Sequence, residues 1–130
     1  MESMNFRTGS ILRHENYESS GALTVNITGY YPDKCDISFL SLVPSFKPKN
    51  ETSIESIRIR YKSQLNRLHF DMVMRNLLQC AGRIDTIVFC TWDTRVGKVY
   101  KDELAAWFSR NGHELTEFIQ IAEVKETSIF

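Results

Sequence analysis

The stretch from Thr52 to Gly82, TSIESIRIRYKSQLNRLHFDMVMRNLLQCAG, constrains the fold more than any other part of the chain. It contains no proline, and its one glycine comes at its end. Thr52-x-x-Glu55 has the form of a capping box, in which the hydroxyl takes one free helix N–H and the glutamate reaches back for another. At about 100° per residue, Ile54, Ile57, Tyr61, Leu65, Leu68 and Met72 fall on one narrow stripe. Ile59, Phe70, Val73 and Leu77 form a second stripe, and Gly82 offers a left-handed cap. The expectation is one long central helix over about residues 53–81. The alternative makes Ile57–Tyr61 a strand, since it also alternates, and starts the helix near Lys62. The continuity of the stripe through both halves favours the full helix.

Around this element the chain reads as α+β, in the order β-β-α-β-α-β. Leu23, Val25 and Ile27 alternate with Thr24, Asn26 and Thr28, the period-two pattern of a half-buried strand. Tyr30-Tyr-Pro-Asp-Lys34 is a turn, with Pro32 presetting φ. Asp36–Val43 then gives a second strand, and the two pair as a hairpin. Gly9–Arg13 could add a short edge strand. Pro44 and Pro48 bracket a loop. Ile84–Thr91 is the clearest strand, its near-continuous apolar run suiting a central position covered on both faces. A shorter helix over about residues 100–110 carries Leu104, Trp107 and Phe108 on one face and ends at Asn111-Gly112. A last strand spans Thr116–Val124. The expected architecture is a single domain over 1–130, a mixed sheet packed against the two helices. The strands at 84–91 and 116–124 would run parallel, joined by a right-handed crossover.

Charge narrows the function. With 16 basic and 16 acidic residues the net charge is zero, so no global field draws in nucleic acid or an anionic membrane. The strands also carry no aromatic pair on which bases would stack. No apolar run approaches the length of a membrane span. The first ten residues lack the apolar core of a secretory signal. Cys35, Cys90 and Cys80 are odd in number and far apart in sequence, which argues for a reducing, cytoplasmic setting. The sequons at Asn26 and Asn50 are then chance. No spacing of His, Cys or carboxylate suggests a metal, and no cofactor is expected. Glu123-x-Lys125 has the E-x-K form of metal-dependent nucleases, with Asp33, Asp36 or Asp85 as possible companions. Such strings are common at strand exits, and this one is read as chance.

Three features could carry function. The loop Trp92–Lys98 leaves a strand and enters a helix, where α/β sheets bind ligands. It offers Trp92 for stacking, Arg95 and Lys98 for an anion, and Asp93 as an acid/base. With one glycine it is neither a Walker loop nor a dinucleotide fingerprint. Its plain reading is a polar turn. On the long helix, Arg58, Lys62, Asn66 and His69 share a polar seam between the two apolar stripes, fit for a cleft or a partner, or simply a solvated edge. Tyr30 and Tyr31 are interface-type residues at a turn.

No catalytic signature stands out, and whether the protein is an enzyme is left open. The leading expectation is a small cytosolic binding or inhibitory protein, of the bacterial immunity or phage-inhibitor type. It would mask a macromolecular partner with the Tyr30–Lys34 turn and the 92–98 loop. The partner could also be a second copy, seamed along the helix stripe. The rival is a small enzyme acting on a nucleotide-like or other anionic metabolite, with Arg95 and Lys98 holding the anion, Asp93 or His69 as acid/base, and Trp92 stacking.

Overall fold

The computed structural model describes residues 4–31, 33–49 and 52–119. Among them the chain forms a five-stranded sheet in the order β3-β2-β4-β1-β5, and every pairing is parallel. The strands are β1 (Asn5–Ser10), β2 (Leu23–Asn26), β3 (Ile37–Ser38), β4 (Thr86–Thr91) and β5 (Leu115–Glu117). The helices are α1 (His14–Ser19), α2 (Ile54–Asn66), α3 (Phe70–Ala81) and α4 (Arg95–Arg110).

The all-parallel sheet replaces the mixed sheet and hairpin that the sequence suggests. β2 and β3 are neighbours, but they run in the same direction, and β3 is only two residues long before a 3₁₀ turn at Leu40–Leu42. The chain between them must return to the bottom of the sheet, which no tight turn can do. The first strand lies over Asn5–Ser10 rather than Gly9–Arg13, and it is interior, between β4 and β5. β4 and β5 are parallel as expected, but β1 separates them. β5 begins at Leu115, and its continuation towards Val124, with Glu123 and Lys125, lies outside the described residues. The apolar run of β4 fits its place between β2 and β1, with Ile87 to Thr91 all buried.

The long central helix is two helices. α2 closes with Arg67 and Leu68 N–H groups bonded to the Gln64 and Leu65 carbonyls. His69 then adopts extended geometry (φ −83°, ψ 105°) and starts α3 without a side-chain cap. The break lies at residues 67–69, not near Lys62, and Ile57–Tyr61 is helical. The physical reason is burial. No straight helix can turn both apolar stripes to one core, whereas two helices meeting at an angle bury Ile57, Tyr61 and Leu65 from one and Phe70, Val73 and Leu77 from the other. Ile59 and Met72, assigned to those stripes, are exposed. The cap of α2 is Ser53, whose hydroxyl accepts from Ser56 N–H, while the Thr52 hydroxyl accepts from Lys49 N–H. At the far end Gly82 closes α3 with φ 58°, as its position suggests.

The sheet has two unlike faces. One carries Phe6, Leu23, Val25, Ile87 and Phe89 against α2, α3 and α4. Phe108 of α4 is its hub, with the rings of Phe6, Phe70 and Phe89 centred 5.2, 5.3 and 5.5 Å away, spacings that favour edge-to-face packing. The other face carries Val88 and Cys90 beneath Ile11, Tyr17 and Ala22. There the Tyr17 ring lies so close to Gly9 that a Cβ at that position would fall 2.5 Å from it.

The connections place a crevice. From β1 the chain passes over β4 to β2, with α1 on the thin face; from β4 it passes over β1 to β5, with α4 on the thick face. The two crossovers run in opposite directions over opposite faces, so they share one hand, as the right-handed rule requires. Neighbouring strands whose chains leave in opposite directions form a topological switch point, and ligands of open α/β sheets bind beyond the carboxyl ends of such strands.

Candidate functional site

Ser10 ends β1 and Thr91 ends β4, paired in register at this crevice. Three residues of irregular chain follow, Trp92 to Thr94, before α4 begins at Arg95. The loop is therefore shorter than 92–98, and Arg95 and Lys98 belong to the first helical turn. The turn is tight because Gly97 packs backbone to backbone: a Cβ there would lie 2.0 Å from the Trp92 carbonyl oxygen. The Thr94 hydroxyl caps α4 by accepting from Gly97 N–H at 3.0 Å.

The crevice holds a polar chain. The Ser10 hydroxyl donates to Asp93 Oδ2 at 2.5 Å and accepts from Leu12 N–H at 3.1 Å. Lys101 Nζ lies 3.9 Å from Asp93 Oδ1. The Ser10 N–H donates to the Tyr17 hydroxyl at 2.9 Å. Burial raises the Tyr17 pKa, and the Ser10 bond only partly opposes it, so the phenol keeps its proton. Beside this chain lies a cavity of about 440 Å³ lined by Thr8, Asp93, Thr94, Lys98, Lys101, Asp102, Ala105, Leu115 and Glu117. The Thr91 hydroxyl is fully buried and is the single buried side-chain polar atom among the described residues with no protein partner. An orphaned group of this kind costs about 1–3 kcal/mol.

The sequence-derived candidates separate into three places. Asp93 and Lys98 line the polar cavity. Trp92 lines a different one of about 350 Å³ with Tyr30, Leu40, Phe46, Lys47 and Tyr100. Arg95 lines a third, of about 340 Å³, with Lys49 and Ile57. A single pocket in which Trp92 stacks while Arg95 and Lys98 hold an anion is thus not assembled, because one helical turn sends these side chains in different directions. His69 opens α3, is exposed, and lines none of the three cavities.

Two of the four residues of the polar seam, Arg58 and Asn66, border α4. Arg58 donates to Glu103 of α4 at 2.9 Å, and Asn66 accepts from Arg110 at 2.9 Å. Glu103 is buried, so Arg58 neutralises a carboxylate that would otherwise lie uncompensated against the core. Lys62 is exposed. Of the stripe expected to seam a second copy, Ile57, Tyr61 and Leu65 are buried in the core, Ile54 and Leu68 pack against it, and Met72 is exposed.

Two distant sequence candidates do meet. The Tyr31 and Tyr30 rings lie 5.5 and 6.1 Å from Trp92, and Lys34 and Lys47 stand over Tyr31 and Tyr30. Asn26, which the alternation marks only as a polar strand residue, holds this turn. Its amide nitrogen donates to the Tyr30 and Tyr31 carbonyls at 2.7 and 3.0 Å, and its oxygen accepts from Thr28. The Asn26 side chain is thereby buried and fully used, which closes this sequon to a glycan. A polar residue followed closely by a Tyr-Tyr turn was the available signal.

Comparison with protein-family models, with curated proteins and with solved structures finds no match for this chain.

Proposed function

We propose that the protein binds a small polar metabolite in the cavity between the start of α4 and the carboxyl ends of β1 and β5, beside the switch point of β1 and β4. The observation that carries this reading is the Ser10–Asp93–Lys101 chain at the switch point, opening on the 440 Å³ cavity. The lining is mixed. Lys98, Lys101 and the start of α4 suit an anionic group, whereas Asp93 and Glu117 suit hydroxyl or amino donors. A metabolite bearing both fits this lining better than a flat nucleotide-like ring, since no aromatic side chain lines the cavity. Asp93, held by Ser10 and faced by Lys101, is the candidate acid/base if the site is catalytic.

Thermal-shift screening against small phosphates, hydroxy acids and amino acids tests the proposal. Binding at a hundredfold excess over Kd adds about 2.7 kcal/mol of apparent stability. A ligand that stabilises the wild type and not Lys101→Ala or Asp93→Asn supports the site; a flat response across the panel retires it.

A second reading has its own support. Tyr30 and Tyr31 are 45% and 50% exposed around Trp92, beside two lysines, and aromatic clusters of this kind anchor protein interfaces. A masking role, of the inhibitory or immunity type, or pairing with a second copy would use this surface. Tyr31→Ala with Trp92→Ala would then abolish partner capture without altering the metabolite response.

A further inference from the structure

The thin face carries a feature that neither reading uses. Cys35 and Cys90 are far apart in sequence, yet Cys35 packs against the small cluster in which Cys90 is buried, on the face opposite the main core. Their neighbourhood is fixed by backbone pairing. Asn26 of β2 is in register with Cys90 of β4. The residue after Cys35, Asp36, is latched to Thr24 at both ends: its N–H donates to the Thr24 hydroxyl at 2.8 Å, and its carboxylate accepts from Thr24 N–H at 3.1 Å. The Cys35 N–H is directed at His14 Nδ1, 3.2 Å away, and the same ring nitrogen lies 2.8 Å from Glu18. Cys35 is held at φ 72°, a left-handed conformation that a non-glycine residue adopts only when its surroundings impose it. Half-buried Cys35 has a route to solvent, whereas Cys90 has none.

The two thiols are chemically unequal. Hydrogen bonding from Cys90 lowers the Cys35 pKa, against the opposing effect of burial. The same contact, together with burial, raises that of Cys90. When one proton leaves, it leaves Cys35, while the buried Cys90 thiol, which donates to the Val88 carbonyl at 3.7 Å, keeps its own. An accessible, lowered thiol beside a buried, protonated one matches the division between an attacking and a resolving cysteine.

We infer that Cys35 and Cys90 are a peroxide-oxidisable dithiol, in which Cys35 is attacked first and Cys90 resolves it as an intramolecular disulfide. The Cys35 thiolate attacks one oxygen of a hydroperoxide. The O–O bond breaks, water or an alcohol leaves, and Cys35 becomes a sulfenic acid. The Cys90 sulfur then displaces that hydroxyl, forming the S–S bond and releasing a second water. Two electrons pass from the sulfur pair to the peroxide, and a cellular thiol reverses the change by exchange.

Hydrogen peroxide titration of the full chain, followed by intact mass and peptide mapping under non-reducing conditions, tests this. The expected product is a species two hydrogens lighter than the reduced chain, with Cys35 and Cys90 peptides linked, Cys80 free, and full reversal by dithiothreitol. In Cys90→Ser the reaction should halt at a sulfenic acid on Cys35 that dimedone traps, and in Cys35→Ser Cys90 should stay reduced. The inference is overturned if wild-type mapping shows exposed Cys80 oxidised while Cys35 and Cys90 remain thiols, or if the only disulfides join two chains. The wild-type map decides the matter even if a variant folds poorly.

Discussion

The two faces of the sheet are held by different physics. The thick face buries Phe6, Val25, Ile87 and Phe89 under three helices, and its cohesion comes from area removed from water and from ring packing. The thin face is covered by a six-residue helix and a turn. Its joints are hydrogen bonds: Thr24 to Glu18 at 2.6 Å, Thr24 to Asp36, Ser10 to Tyr17, and Asn26 to the Tyr30–Tyr31 backbone. Burial of apolar area does not itself respond to pH or to thiol state. A face held by directional polar contacts places nucleophiles and acceptors accurately, and it changes with protonation. The chemically interesting side chains lie on the thin face or at the crevice where the faces meet.

Substitutions can break this contrast. On the thick face, Phe108→Ala removes the hub ring and should cost about 3–5 kcal/mol, with a similar loss at acid and neutral pH in urea unfolding. Arg58→Ala leaves Glu103 without its cation and should cost about 2 kcal/mol, less than for a fully buried pair because the Arg58 side chain is 34% exposed. Adding Glu103→Gln should restore part of it, and a double-mutant cycle with no coupling would show the pair to be ornamental to stability.

On the thin face, Thr24→Val is nearly isosteric, yet it orphans the Asp36 N–H and leaves the Glu18 carboxylate with His14 alone, for about 1–2 kcal/mol at neutral pH. That loss should shrink in acid. Burial acts to raise the Glu18 pKa, but the bonds from Thr24 and His14 outweigh it and hold the carboxyl below its ordinary value. A depressed folded-state pKa contributes stability above the unfolded value, and the contribution is lost as pH falls through the folded one. Wild-type stability should therefore drop through the acid side of the glutamate range more steeply than that of Thr24→Val. Equal slopes would detach Glu18 from the latch. The smallest effect is expected at the crevice: Lys101→Ala should alter stability by less than about 0.5 kcal/mol, since the 3.9 Å contact to Asp93 is loose. A large destabilisation would make Lys101 a structural residue rather than a ligand group.

Local patterns were legible in the sequence wherever one residue's neighbours decide its state. β4, β2, the apolar face of α4 and the Gly82 stop all follow from alternation, helical periodicity or glycine chemistry. Strand direction and order were not, because parallel pairing joins segments far apart in the chain. The break at residues 67–69 carries no glycine or proline, and only the incompatibility of its two stripes announced it. β1 hid as NFRTGS, whose Thr8 and Ser10 read as surface residues but are buried in the sheet. For the candidate site, the sequence pointed to a 92–98 loop with Asp93, and it did not show Ser10, Lys101, Asn26 or the packing of Cys35 against the Cys90 cluster, all of which depend on tertiary approach.

The place of β1 has a consequence for the order of folding. Asn5 pairs with Thr86, and Phe6 with Leu115. During synthesis β1 therefore leaves the ribosome before either neighbour, and it stays unpaired until β4 and β5 have followed. Non-local parallel pairing is slow, and an unpaired strand edge is adhesive while it waits. With Thr8 and Ser10 among its six residues, β1 offers a less apolar edge during that interval than the run of β4 would.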